Sequence, residues 1–598
     1  MPAESPIAAL RSLLKKEEFK GALIRISDPY LSEYIPDHWS TLRWLTGFTG
    51  SAGTLFVTAN EAALLTDSRY WEQAERQLEG TGIEILKQGL PGTPDAAAWF
   101  AAHLDDGAKI GASAELMSLT AWRRLDTELN EKHLRLKNLK DPADTIWLED
   151  RPARPQGKIR FLRGASRPVA EKLAELRSTL KARGRNALLL SSLDEIAWLT
   201  NCRGSDVAYN PVFLAAMIVT DREALLFTEP SRMTAALRTR LAGSGVTVLE
   251  PDALKKNLKS LRKSRLWLDP DRTPAARIKL TAGDVLEETS PVTIMKSRKT
   301  PAEIASIKKA MKTDGVALCE FYAALDERLG RHEKLTECDA ADMLLACRVA
   351  AGGSTFLDLS FDTIAAFGRN AALPHYSPVR GADAQLTRGL LLIDSGAQYT
   401  TGTTDITRMT PVGTLTKAEK RDVTLVLKGM IALACAKAPE GTAGAQLDAF
   451  AREPLWKAGL DFGHGTGHGV GYILNVHEGP FHISPRAYGL GELGLAAGIV
   501  VSDEPGLYRP GIRGIRIENL LAAKFAEETP FGRFIAFDVL TLCPIDVRTL
   551  DASLMTAPEI DWLNAYHRRI EKILTNNLSE RARAWLTRAA APLHKNRS

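Results

Sequence analysis

Gly389-Leu390-Leu391-Leu392-Ile393-Asp394 is a short apolar run that ends on a carboxylate. Its length and composition read as a buried strand with Asp394 delivered at the tip. Ser395-Gly396 and Thr401-Gly402 supply turn residues, and Thr403-Thr404-Asp405-Ile406-Thr407 resumes a β-branched, strand-like pattern. A hairpin would return Asp405 to the neighbourhood of Asp394. Isolated aspartates in such places are usually exposed turn residues. Here the apolar strand argues otherwise, because a half-buried carboxylate needs a partner.

A second carboxylate pair follows the same logic. Gly498-Ile499-Val500-Val501 leads to Glu504, and Pro505-Gly506 ends that strand. The stretch from Gly514 to Leu520 reads as one further strand, with Ile515, Ile517 and Asn519 on one parity. Arg516 and Glu518 share the other, so they should face the same side. An arginine beside a glutamate is most simply a surface ion pair. Alongside the other carboxylates, Glu518 reads as metal-bound and Arg516 as lining the same cavity.

Gly463-His464-Gly465-Thr466-Gly467-His468-Gly469-Val470-Gly471 has glycine at every second position. Each glycine costs a helix interior roughly 1 kcal/mol relative to alanine, so the run is not helical. If it is extended, His464 and His468 share a face but stand roughly 13 Å apart at about 3.3 Å per residue. One should be a metal ligand and the other should reach a different part of the same cavity. The spacing is neither the dinucleotide-binding nor the P-loop pattern. His464, His468, His477 and His482 crowd into residues 464–482 of a chain that has 11 histidines, which favours ligation or proton handling over a structural role. His375, in Pro374-His375-Tyr376-Ser377-Pro378, stands alone and reads by itself as loop chemistry.

Four carboxylates and one imidazole are a ligand set for two hard divalent cations held side by side. Such a pair generates a hydroxide at neutral pH and stabilises charge on both sides of a displacement, so hydrolytic metal chemistry is the first expectation. Carboxylate-rich sites favour hard cations such as Mn²⁺, and one imidazole leaves Zn²⁺ and Co²⁺ open.

At 598 residues the chain is too long for one core, and typical domain sizes give three to four domains. It is 45% hydrophobic and 25% charged, an ordinary globular composition. No apolar stretch approaches the ~18 residues that span a bilayer. Met1 to Lys20 carries Glu4, Glu17 and Glu18 and does not read as a secretory signal. The six cysteines are scattered without C-x-x-C spacing, as in a reducing compartment, so the expected location is cytoplasmic. The net charge of +5 is matched by residues 561–598, with eight Lys/Arg against three Asp/Glu. Trp562, Leu563, Tyr566, Ile570 and Ile573 recur there at helical spacing, so the tail reads as packing helices and no nucleic-acid partner is expected.

Asp141-Pro142 to Lys158 reads as a connector, and Lys296-Ser297-Arg298-Lys299 as a charged linker before a helix opened by Thr300-Pro301-Ala302-Glu303. Trp44-Leu45-Thr46 and Trp198-Leu199-Thr200 each precede a Gly-Ser step and an apolar strand ending in Val-Thr (Val57-Thr58, Val219-Thr220). A duplicated α/β unit is expected.

The local forms I-D-S-G, T-T-D-I-T-R, G-H-G-T-G-H-G-V-G, D-E-P-G-L-Y and G-I-R-I-E-N, in that order, resemble the proline-specific branch of the pita-bread metallopeptidases. Asn475-Val476-His477-Glu478-Gly479-Pro480 and the long N-terminal portion are similar to its three-domain cytosolic Xaa-Pro aminopeptidases. The likeness extends to Ser32-Glu33-Tyr34-Ile35, Gly47-Phe48-Thr49-Gly50-Ser51-Ala52-Gly53-Thr54, Asp67-Ser68-Arg69-Tyr70 and Leu193-Asp194-Glu195-Ile196-Ala197-Trp198-Leu199. The resemblance implies an α/β (α+β) chain with two creatinase-like N-terminal domains, 1–155 and 156–296, and a pita-bread catalytic domain with a helical extension, 297–598.

It further implies two metal ions, most simply Mn²⁺. Asp394 would lie on one metal, Asp405 and Glu518 would bridge, and His468 and Glu504 would complete the other. The nucleophile would be the bridging water, with Glu504 taking and returning its proton. His375 and His477 match the outer histidines that hold the scissile carbonyl and the tetrahedral centre. His464, Tyr508 and Arg516 match positions around a proline-accepting pocket, and Arg69 a position where the first domain reaches substrate. The implied activity is release of the N-terminal residue from peptides with proline second, by a homodimer. The alternatives are prolidase action on dipeptides, creatinase-like amidine hydrolysis and a non-catalytic module; the last two predict lost ligands, and all five are present.

Overall fold

The structure is a computed structural model that describes residues 5–281 and 283–594. Glu4, and the basic residues Lys595 and Arg597 of the tail, lie outside the described residues. The chain divides into two compact units, Met1–Val292 and Thr293–Ser598.

The first unit contains the same sheet twice. Strands β1 (Gly21–Arg25), β2 (Thr54–Thr58), β3 (Ala62–Thr66), β4 (Glu84–Lys87), β5 (Lys109–Ala112) and β6 (Arg135–Asn138) assemble in the order β4-β3-β2-β1-β5-β6. Strands β7 (Ala187–Leu190), β8 (Ala216–Thr220), β9 (Ala224–Phe227), β10 (Thr247–Leu249), β11 (Arg265–Leu268) and β12 (Asp284–Glu287) assemble as β10-β9-β8-β7-β11-β12. Each sheet has antiparallel pairs at its second and third inner steps and parallel pairs elsewhere, as crossover helices require. In the first sheet Ala22, Ile24, Leu55 and Val57 pack on one face and Leu23 and Phe56 on the other, so both faces are covered.

The duplication read from the paired Trp-Leu-Thr motifs is therefore visible in strand order. It also extends to the helix ends. Thr46 and Thr200 each donate a hydroxyl to the carbonyl four residues back, Leu42 and Ile196. The two helices then stop on a left-handed residue, Gly47 (φ 79°) and Asn201 (φ 52°).

The second unit is built from antiparallel strands and long helices. β13 (Ile364–Phe367), β14 (Gly389–Ser395) and β15 (Ile406–Val412) form one sheet. All seven residues of β14 are buried, as expected of a strand that is apolar on both parities. β14 and β15 pair with Asp394 opposite Thr407, and a small hairpin (Ala397–Tyr399, Gly402–Thr403) fills the connection. A six-stranded sheet follows, from β16 (Lys437–Pro439), β17 (Gly467–Gly469), β18 (Glu478–Ile483), β19 (Val500–Asp503), β22 (Asn519–Thr529) and β23 (Gly532–Val539), in the order β16-β23-β22-β19-β17-β18. Between β19 and β22 lies the hairpin β20 (Gly506–Arg509) and β21 (Arg513–Arg516).

Helices α1 (Pro301–Gly330), α2 (Glu337–Gly352), α3 (Lys417–Ala434), α4 (Gly444–Trp456), α5 (Ala557–Leu574) and α6 (Glu580–Ala589) belong to this unit. α1 opens as the sequence predicts, with Thr300 and Glu303 in a reciprocal capping box and proline at the first turn. The tail packs as expected: Leu563, Tyr566 and Ile570 are buried on α5, and Trp585 of α6 stacks on Tyr322 of α1 at 5.4 Å.

Two expectations are corrected and one open point is settled. The segment 514–520 is two strands, because the chain turns from β21 into β22 at Ile517-Glu518. The glycine-rich run is extended only over β17. Lys296 and Lys299 do not form the charged linker that the sequence suggests: both are buried and both pair with the Glu478 carboxylate, Lys296 at 2.8 Å. A buried carboxylate holds them there, since a buried charge without a partner is costly.

Candidate metal centre

Asp394, at the end of β14, is 8% exposed. Its Oδ2 accepts from Arg516 Nη2 at 2.5 Å and Nε at 3.1 Å. Its Oδ1 is buried and finds no hydrogen-bond partner among the described residues. Asp405, one residue before β15, is buried and places Oδ2 3.5 Å from His468 Nε2. Glu518 sits at the break between β21 and β22. That break turns its N–H to the Thr407 carbonyl (3.1 Å) and its Oε2 to the Thr407 hydroxyl (3.0 Å). Glu504 follows β19; its Oε1 is 3.3 Å from His468 Nε2 and accepts from the Ser502 hydroxyl at 3.1 Å.

His468 occupies the middle of the three-residue strand β17. A Cβ at Gly467 would lie 2.0 Å from the Ser502 carbonyl oxygen, and one at Gly469 would lie 2.2 Å from that of Glu478. The glycines flanking His468 thus allow both neighbouring strands to close on it. His468 Nδ1 lies 2.9 Å from its acceptor, the Gly469 carbonyl, which leaves the Nε2 lone pair directed at the carboxylates. One donor atom each from Asp405, His468 and Glu518 fit within 4.8 Å of one another.

The electrostatics are those of a cluster in which four carboxylates outnumber one arginine. Burial, then the neighbouring carboxylates, push Asp405 and Glu518 well above the usual carboxylate range, and Glu504 upward too. Burial, with His477 beside it, holds His468 well below the usual imidazole range. An unpartnered buried oxygen on Asp394, carboxylates that repel one another and a neutral imidazole all fit divalent cations bound by hard oxygen ligands.

A second chain of contacts leads away from the cluster. Arg516 Nη1 donates to the Tyr508 oxygen at 2.7 Å, and Tyr508 stands 2.8 Å from His464 Nε2. His464 Nδ1 meets the Gly465 carbonyl at 2.7 Å, so the Tyr508 hydroxyl is the donor to Nε2. Burial and the charge of Arg516 lower His464 to about 3. Arg516 and Glu518, read as one face of a strand, do reach the same cluster, although the strand is broken between them. His464 and His468 reach different partners, as the spacing predicts.

His477 lies edge-to-face against His468, ring centres 4.4 Å apart. His375 is exposed, on a loop whose Pro374 carbonyl accepts from Arg516 Nη2 at 3.3 Å. Arg69 lies in the first unit, where its fork closes on Asp67 through two contacts of 2.7 Å.

Sequence reading missed the supporting residues. Ser502 bridges the His468 N–H and Glu504. Arg408 ties the Thr407 and Glu518 carbonyls to Asn519 and Tyr566. The local form T-T-D-I-T-R contained Arg408, but Glu518, Asn519 and Tyr566 lie more than a hundred residues away.

Hard carboxylate donors on antiparallel strands, in a chain that also carries a duplicated α/β unit, point to the metallopeptidase class. Residues 305–524 match Metallopeptidase family M24, 533–593 its C-terminal region, and 6–146 and 150–303 two descriptions of the Creatinase/Prolidase N-terminal domain. Aminopeptidase P2 of Arabidopsis thaliana is 39% identical, covering 96% of this chain and 86% of the relative. A probable Xaa-Pro aminopeptidase P of Sordaria macrospora is 39% identical over 98% of both chains. The crystal structure of the X-prolyl aminopeptidase of Caenorhabditis elegans, described as a cytosolic enzyme with a di-nuclear active site, is 33% identical. It superposes with a TM-score of 0.92, over 99% of this chain and 100% of that one. The chain belongs to the Xaa-Pro aminopeptidase P family of M24 metallopeptidases, a family of hydrolases.

Proposed function

We propose that the protein releases the N-terminal residue from peptides whose second residue is proline. The observation that carries this reading is the convergence of Asp394, Asp405, His468, Glu504 and Glu518, with Asp394 Oδ1 left unpartnered among the described residues. All five would hold two divalent metal ions, Mn²⁺ ahead of Zn²⁺ or Co²⁺. When bound, the ions polarise the scissile carbonyl and make water a nucleophile at neutral pH.

The chain's own groups supply the rest. Glu504 takes a proton from water at a carboxylate oxygen and returns it to the prolyl nitrogen. His477 and His375 hold the carbonyl oxygen and the charge that develops on it. Tyr508, His464 and Arg516 border the pocket for the pyrrolidine ring. A prolyl bond has no N–H, so a pocket that packs the ring is the natural grip on it. Arg69 would reach the peptide beyond the proline, its fork suited to carbonyl or carboxylate oxygens.

The same reading divides the chain at 155 and 296 into three domains, assembled as a homodimer. We place it in the cytoplasm: all six cysteines are free thiols, and a similar enzyme is described as cytosolic. Among the described residues no helix is long and apolar enough to cross a membrane. Matched Xaa-Pro and Xaa-Pro-Xaa peptides test the activity. Release of Xaa from the tripeptide is expected, and faster cleavage of the dipeptide would make the enzyme a prolidase instead.

A further inference from the structure

The segment that presents His464 cannot hold its own shape. Gly463 and Gly465 flank the histidine, and a residue without a side chain restricts its backbone least. The restraint comes from helix α4. Arg452 is 2% exposed and stacks 3.8 Å over the Phe462 ring. Its Nε donates to Asp448 Oδ2 at 2.5 Å, one helical turn back. Nη1 donates to Asp461 Oδ1 (2.7 Å) and the Phe462 carbonyl (2.6 Å), and Nη2 to the His464 carbonyl (2.7 Å). The other Asp448 oxygen accepts from the Thr466 hydroxyl at 2.6 Å. One buried ion pair thus pins the segment before, at and after His464. From there the order passes through Tyr508 to Arg516 and Asp394.

We propose that Arg452 and Asp448 are positioning residues: they fix His464 against Tyr508 and so shape the proline-accepting pocket, without touching substrate themselves. The inference rests on the function proposed above. A planar fork is required, because a lysine keeps the charge and one contact but cannot reach the Phe462 and His464 carbonyls together.

The test is a double-mutant cycle on Arg452→Lys and His464→Ala. It reads equilibrium binding of the dipeptide Pro-Ala by calorimetry, together with KM and kcat on Ala-Pro-Ala and bound metal. Arg452→Lys should weaken Pro-Ala binding and raise KM about tenfold, the scale of a charge-assisted hydrogen bond, with kcat and metal content near wild type. In the His464→Ala background the same substitution should cost almost nothing more, because both act through one group. Thr466→Val removes only the contact to Asp448 and should give a smaller loss with the same non-additivity, which serves if Arg452→Lys does not fold. Additive losses, or unchanged Pro-Ala binding in Arg452→Lys, overturn the inference alone. A wild-type enzyme that neither binds Pro-Ala nor cleaves Ala-Pro-Ala overturns the proposed function and this inference with it.

Discussion

Two buried charge networks lie on either side of Ser395, and they are built on opposite plans. On one side Arg348, fully buried, gives Nε and Nη2 to the two oxygens of Asp314 (2.9 and 3.2 Å) and Nη1 to the Gly396 carbonyl (3.2 Å). Tyr399 donates to the same Asp314 at 2.8 Å, and the network is closed. On the other side Asp394 is satisfied on one oxygen only among the described residues, while burial, and after it nearby carboxylates, raise the proton affinity of Asp405, Glu504 and Glu518. A closed network specifies a fold. An open one costs stability and persists where something else completes it.

The contrast yields four expected outcomes. Asp405→Ala or Glu518→Ala should abolish turnover and lower bound metal, since each removes one of the proposed metal ligands; a peptide assay with elemental analysis checks it. A metal-replete, inactive Asp405→Ala enzyme would break the distinction between the networks. Asp314→Asn should instead lower unfolding free energy by about 3–5 kcal/mol, because it leaves Arg348 buried without its counter-charge. Turnover per folded molecule should survive, as denaturant titration beside active-site counting would establish.

His477→Ala should retain metal and lose rate by roughly 10²-fold or more, the scale of groups that act on the transition state. Loss of metal from that variant would move His477 into the open network. The smallest effect belongs to Arg69→Ala, whose fork is already closed on Asp67. Cleavage of tripeptides and longer peptides should weaken by about tenfold or less, with metal content unchanged. Identical kinetics at both peptide lengths would remove Arg69 from the site.

What could be read from sequence was what short-range physics writes there. Gly389 to Asp394 announces a buried strand by composition, Thr300 to Glu303 announces a helix start, and the paired Trp-Leu-Thr motifs announce a repeat. Arg516 and Glu518 reach one cluster, but not as one face of a strand: parity missed the turn between them, where Glu518 meets Thr407 across the cluster. The burial of Lys296 and Lys299 was invisible because its cause, Glu478, lies about 180 residues away. Asp448 and Arg452 show in the sequence as an ordinary i, i+4 pair, the commonest kind of surface decoration on a helix. Only the fold reveals that Arg452 faces the glycine-rich segment.

The register of β14 against β15 sets Asp394 opposite Thr407 and so fixes how Asp405 and Glu518 approach it. Strand registers change only in whole residues, and one step turns each side chain to the opposite face. A one-residue slip of β15 against β14 would turn the residues around Asp405 away from Asp394 while leaving both strands formed. For this centre, evolution and protein engineering alike face a digital constraint: the carboxylates meet in one register or they do not meet.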